Sequence, residues 1–108
     1  MVEDDADLLR ILDESLTLEG WEVLMATSPE SALRAASSRK VDVVLADILE
    51  AEGVELQRTF RSDARLRSVP FVFMTGSLTQ ARALRGTPVL IKPFDLNEVT
   101  SMLNRCTL

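Results

Sequence analysis

Histidine is absent from this chain. That removes an imidazole base, a Ser–His or Cys–His catalytic pair and an imidazole metal ligand. Any chemistry must run on carboxylates, hydroxyls, lysine and a hard metal ion. Cys106 is the only cysteine; it cannot close an internal disulfide, which suits a reducing compartment, and it reads as a small apolar residue of the last helix. No apolar run approaches the roughly 20 residues that span a bilayer. No basic segment followed by an apolar one opens the chain either, so neither a membrane span nor a signal peptide is expected. The expected location is the cytoplasm. Positive charge is scarce: 12 bases stand against 17 acids, a net charge of −5, which argues against broad contact with a nucleic-acid backbone. The one basic stretch, Arg58, Arg61, Arg65 and Arg67, reads first as a solvated helix face and loop, and second as a docking patch for a partner.

With 108 residues, 46% of them hydrophobic, the chain is one domain's worth (residues 1–108) and can bury an ordinary core. Linkers, repeats and low-complexity segments are missing; short apolar runs alternate with amphipathic stretches instead. Residues 6–19 place Leu8, Ile11, Leu12, Leu16 and Glu19 at helical spacing, with Gly20 as a stop. "WEVLMA" (21–26) reads as a strand. "TSPESALRAASS" starts a helix with Ser28 as N-cap and Pro29 at the first helical position. "VDVVLAD" (41–47) is a nearly continuous β-branched run of the kind found in strands covered on both faces. A helix over 53–61, a strand over 69–75, a short helix over 77–84, a short strand over 88–92 and a helix over 95–106 complete the pattern. Strict alternation of this kind predicts an α/β fold: a parallel sheet, doubly wound, with helices on both faces.

In such sheets, sites form at the carboxyl ends of the strands. Glu3, Asp4 and Asp5, then Asp47, Thr75 and Lys92, fall at these ends. Converging carboxylates perturb one another by several pKa units unless a cation intervenes. Mg²⁺ suits them, because it prefers oxygen ligands and takes one or two carboxylates with waters and phosphate. Lys92 offers a point charge for a phosphoryl oxygen, and Thr75 a hydroxyl donor, with Gly76 leaving room beside it. An aspartate can also be a nucleophile that forms an aspartyl phosphate. Together these groups form a small phosphoryl-transfer site. Asp5, next to the start of the first helix, reads as its N-cap.

The stretches "VEDD" (2–5), "VDVVLAD" (41–47), "RSDARLRSVPFVFMTG" (61–76) and "LIKPF" (90–94) resemble the receiver domain of the two-component response-regulator family along essentially the whole chain. The resemblance implies a (βα)5 fold with strand order 2-1-3-4-5. It implies that Asp47 is the phosphoacceptor, that Thr75 and Lys92 assist at the phosphoryl group, and that Glu3, Asp4, Asp47 and the backbone carbonyl of Leu49 hold Mg²⁺. The donor is then the phosphohistidine of a sensor histidine kinase or phosphotransfer protein, the output goes to a downstream effector domain or protein, and slow autodephosphorylation follows. Neither direct nucleic-acid binding nor a membrane is implied.

Three departures from the family pattern stand out. Only Met1 and Val2 precede the acids, so the first strand is truncated, and residues upstream of Met1 are expected. The loop after Asp47 is short, with Ala51 where proline is common. Only sixteen residues separate Thr75 from Lys92, which shortens the fourth helix, and Val89 stands where an aromatic switch residue is usual. An altered readout is therefore expected. Two other functions compete: a receiver-like interaction module that is not phosphorylated, and a hydrolase of the haloacid-dehalogenase type. The latter needs an acid two residues after the nucleophile, where this chain has Leu49.

Overall fold

The computed structural model describes residues 1–3, 5–47, 52–84 and 86–107. In chain order the elements are α1 (Ala6–Leu18), α2 (Pro29–Ser38), β1 (Val44–Asp47), α3 (Glu52–Ser62), β2 (Phe71–Thr75), α4 (Leu78–Ala83), β3 (Val89–Ile91) and α5 (Leu96–Cys106). Local chemistry sets the helix starts. Asp5 caps α1 by accepting from the N–H groups of Asp7 and Leu8 at 3.0 and 3.2 Å, as expected from its position. Ser28 caps α2 with Pro29 in the first turn, and Asp95 caps α5 in a reciprocal arrangement with Glu98. Each cap supplies acceptors for N–H groups that have no partner within the helix.

The strands β1, β2 and β3 form a parallel sheet in that order. Val44 lies opposite Phe71, Asp47 opposite Met74 and Thr75 opposite Ile91. Side chains alternate across a strand, and here both faces are covered. Val44, Ala46, Phe71 and Phe73 join Ala32 and Ala36 of α2 and Leu56 and Phe60 of α3 in one apolar layer. Leu45, Val72, Met74 and Leu90 join Leu12 and Leu16 of α1 and Val99 and Leu103 of α5 in the other. This explains why 41–47 and 69–75 read as nearly continuous apolar runs rather than alternating ones. The rings of Phe60 and Phe71 meet edge-on at 5.1 Å, and full burial of each such side chain contributes about 1.5–3 kcal/mol.

Beyond this sheet, Val2 makes parallel bridges to both Ala26 and Ala46. Its N–H donates to Leu45 O at 2.8 Å, and its carbonyl accepts from Asp47 N at 2.9 Å. The segments expected as the first two strands therefore appear as bridges at Val2 and Ala26, not as ladders. Among the described residues, 21–26 meet the N-terminal residues through the Ala26 N–H on Met1 O at 2.8 Å, the Glu3 N–H on Ala26 O at 3.1 Å and the Met1 ammonium on Leu24 O at 2.6 Å.

The register of α1 corrects the sequence reading. Leu9, Leu12 and Leu16 are buried, whereas Ile11 is half exposed at 49%. Leu9 takes the place expected for Ile11 because the helix packs on the sheet and on α5 together, which turns its buried stripe toward Leu9. Cys106 is half-buried against the layer shared by α1 and α5, in keeping with its reading as a small hydrophobe. Arg61 donates to the carbonyls of Arg67 and Val69, both at 2.9 Å, and lies over the Phe71 ring. That arginine is thus committed to tying down the loop before β2.

Candidate functional site

The carboxyl ends of the strands bring Glu3, Asp47 and Lys92 together. Val2 is stitched between Ala26 and β1, which sets Glu3 beside the end of β1 where Asp47 lies. Lys92 follows β3 directly, and its backbone N–H donates to the Thr75 carbonyl at 2.7 Å. Its ammonium donates to Asp47 Oδ2 at 2.8 Å and lies 3.6 Å from Glu3 Oε2. The Lys92–Pro93 bond that follows is cis.

Burial decides the electrostatics of this triad. The Glu3 and Asp47 side chains are 1% and 8% exposed, and Lys92 is 29% exposed. Burial, and then the hydrogen bond and charge of Asp47, raise the Glu3 carboxyl from 4.5 to about 7, against the opposing pull of Lys92. Burial pushes the Lys92 ammonium down, but the hydrogen bond and charge of Asp47 and the charge of Glu3 outweigh it, so the net shift is upward. One lysine facing two carboxylates leaves a local excess of negative charge.

Glu3 Oε1 accepts from the Asp5 N–H at 3.3 Å. Its Oε2 has no hydrogen-bond partner among the described residues, although it is fully buried. A buried acceptor without a partner costs free energy. An oxygen-rich, net-negative cluster with one such orphan fits a hard divalent cation. Asp4 and Leu49, the other two expected contributors to that ion's shell, lie outside the described residues, as does Ala51.

Thr75 occupies the end of β2 and is 2% exposed, at the same sheet edge as Asp47. Its hydroxyl is bonded to α4 residues and their cap: it donates to Gln80 Oε1 at 2.6 Å and accepts from the Ser77 N–H at 3.0 Å. Gln80 is the residue that the sequence reading missed. A signal was available, because Ser77 caps α4 and the S-x-x-Q spacing marks a capping box. That pattern predicts a Gln80 side chain bonded to the Ser77 N–H; the Thr75 hydroxyl stands between the two instead. A Cβ at Gly76 would meet nothing within 4 Å, so the protein leaves open space there. Val89 is half-buried and packs with the layer under α2 and α3.

The family model for "Response regulator receiver domain" matches residues 1–104. Among curated relatives, the uncharacterized transcriptional regulatory protein YrkP of Bacillus subtilis is 32% identical over 100% of this chain and 50% of its own length. The probable transcriptional regulator ycf29 of Pyropia yezoensis is 29% identical over 96% of this chain and 50% of its own length. The chain thus spans about half the length of these relatives. Among solved structures, a sensor protein from Polaromonas sp. JS666 superposes with a TM-score of 0.86 at 26% identity, covering 98% of this chain and 92% of that one. The receiver domain of the sensor histidine kinase PA1611 of Pseudomonas aeruginosa, described with a magnesium ion coordinated in its active site cleft, gives 0.85 at 26% identity, covering 98% and 93%.

Proposed function

The chain belongs to the response regulator receiver domain family, and from that premise we propose that it is a phosphoacceptor of a two-component phosphorelay. The observation that carries this reading is the buried triad: Lys92 at 2.8 Å from Asp47 and 3.6 Å from a Glu3 oxygen that lacks a partner. An Asp47 carboxylate oxygen attacks phosphorus, the P–N bond of a partner's phosphohistidine breaks, and the new P–O bond makes an aspartyl phosphate. The phosphohistidine belongs to another molecule or domain, since this chain has no histidine, and its imidazole leaves as the neutral ring when the other ring nitrogen carries a proton. Lys92 then follows the negative charge from the carboxylate to a phosphoryl oxygen, and Thr75 donates its hydroxyl to another. Glu3, Asp4, Asp47 and the Leu49 carbonyl would hold Mg²⁺, which would supply neutralising positive charge for the phosphoryl oxygens. Positioning and charge neutralisation carry the catalysis, with slow hydrolysis of the aspartyl phosphate restoring Asp47.

The same reading includes the five-strand order 2-1-3-4-5, which the two parallel bridges of Val2 support. It includes a sensor histidine kinase or phosphotransfer protein as donor, an effector domain or protein as recipient, and a cytoplasmic setting. No described helix is long and apolar enough to cross a membrane. It also includes an atypical switch, since Val89 has no ring to move and α4 has six residues.

Incubation with Mg²⁺ and acetyl phosphate, read by intact mass, tests the proposal. A phosphoryl adduct is expected in the wild type and not in Asp47→Ala. A folded wild type that forms no adduct would leave the unphosphorylated interaction module as the better reading.

A further inference from the structure

The Thr75 hydroxyl has one proton, and that proton is directed at Gln80 Oε1 at 2.6 Å. The oxygen also accepts from the Ser77 N–H, so its one proton is committed to Gln80. Thr75 is 2% exposed, so its hydroxyl cannot turn freely to water. To donate to an oxygen anion at Asp47, it must first break from Gln80. Together with the bond from the N-cap Ser77 N–H to the Thr75 hydroxyl, this bond ties the start of α4 to a residue at the site. α4 has no buried residues, so its first turn is held mainly by these bonds and the Ser77 cap. Val89 lies in the layer under α2 and α3 and contributes no hydrogen bond to this path.

We propose that Gln80 is a positioning residue for Thr75: it holds the hydroxyl in reserve while Asp47 is free, and releases it when an oxygen anion at Asp47 competes for the proton. The first turn of α4 thereby registers the state of the site through a hydrogen bond instead of a moving ring. This inference rests on the phosphoacceptor reading. The exchange is close to balanced, because Gln80 is exposed and Ser77 half-buried, and both can turn to water once the hydroxyl leaves. In the unliganded state the buried hydroxyl gains from Gln80 a bond of ordinary net strength, equivalent to roughly a 2- to 10-fold bias.

The test is an NMR titration with beryllofluoride, a phosphoryl mimic, in the presence of Mg²⁺, on wild type, Gln80→Met, Gln80→Glu and each of these in a Thr75→Val background. Gln80→Met removes the competing acceptor and is expected to tighten binding roughly 2- to 10-fold. Gln80→Glu offers a charged acceptor and is expected to weaken it. In Thr75→Val protein the tightening by Gln80→Met should vanish, a result that a merely structural role for Gln80 would not produce. In the wild type, the Gln80 side-chain amide and Ser77 backbone amide resonances should move on binding. Wild-type and Gln80→Met affinities within twofold of each other, or a tightening that persists in Thr75→Val, would overturn the role of Gln80 while leaving the phosphoacceptor reading intact. Should a variant fail to fold, a wild-type adduct that leaves the Gln80 amide unmoved overturns the role equally. A folded wild type with no beryllofluoride-dependent change would instead overturn the phosphoacceptor reading, and the role of Gln80 with it.

Discussion

Replacing Lys92 with methionine removes the only described cation in contact with Glu3 and Asp47 while keeping most of the side chain's apolar volume. At an effective dielectric of about 20, unit charges 2.8 and 3.6 Å apart attract by roughly 6 and 5 kcal/mol before desolvation is subtracted. Removing one partner of a buried pair costs about 3–5 kcal/mol, because the other charge is left uncompensated. The ammonium is 29% exposed and so is partly screened, and one carboxylate can take up a proton; both effects pull the expected loss down to about 2 kcal/mol. For a domain of this size that corresponds to a melting temperature lower by roughly 8–16 °C. The assay is thermal and urea unfolding near neutral pH in EDTA, run as a double-mutant cycle with Asp47→Asn. If Lys92 acts through Asp47, the double variant should be less destabilised than the sum of the singles, with a coupling of about 1–3 kcal/mol. Strict additivity, or a Lys92→Met loss below about 0.5 kcal/mol, would refute the electrostatic account of the triad.

Other consequences follow from the same geometry. In EDTA, Glu3 titrates in the folded protein near 7, above its ordinary 4.5, so the folded state holds this proton more tightly than the unfolded one. The stability it contributes is therefore full below about pH 4.5 and is lost as pH rises toward 7, by up to about 3 kcal/mol; urea midpoints near pH 5 and pH 8 should show Glu3→Gln with a shallower fall than wild type, and an equal fall would contradict this. Phe73→Ala, at a fully buried position, should cost about 3–5 kcal/mol, whereas Leu18→Ala, at a side chain 89% exposed, should change urea stability by no more than about 0.5 kcal/mol. Asp5→Ala should cost about 1 kcal/mol through the lost N-cap while the acetyl phosphate adduct still forms, because the Asp5 N–H that bonds Glu3 belongs to the backbone.

Much of the fold was legible because local chemistry wrote it. The caps at Asp5, Ser28, Ser77 and Asp95 sit where short polar side chains precede apolar periodicity. The runs at 41–47 and 69–75 announced strands buried on both faces, and both faces are buried. What the pattern could not specify was which of two residues in α1 would be covered, since Leu9 and Ile11 both extend the apolar stripe of a helix. It also could not say whether residues 21–26 would form a ladder, because strand pairing depends on a neighbour distant in the chain.

The site divides the same way. Residue types and their positions at strand ends, read from the sequence, determined that Glu3, Asp47, Thr75 and Lys92 would be candidates, because alternating strands and helices send every strand's carboxyl end to one edge. Only the tertiary structure decided the pairings: Lys92 with Asp47, Glu3 with an unsatisfied oxygen, and the Thr75 hydroxyl with Gln80 in place of a closed capping box. Side-chain hydrogen bonds depend on sub-ångström distance and on burial, and both are set by how the layers pack.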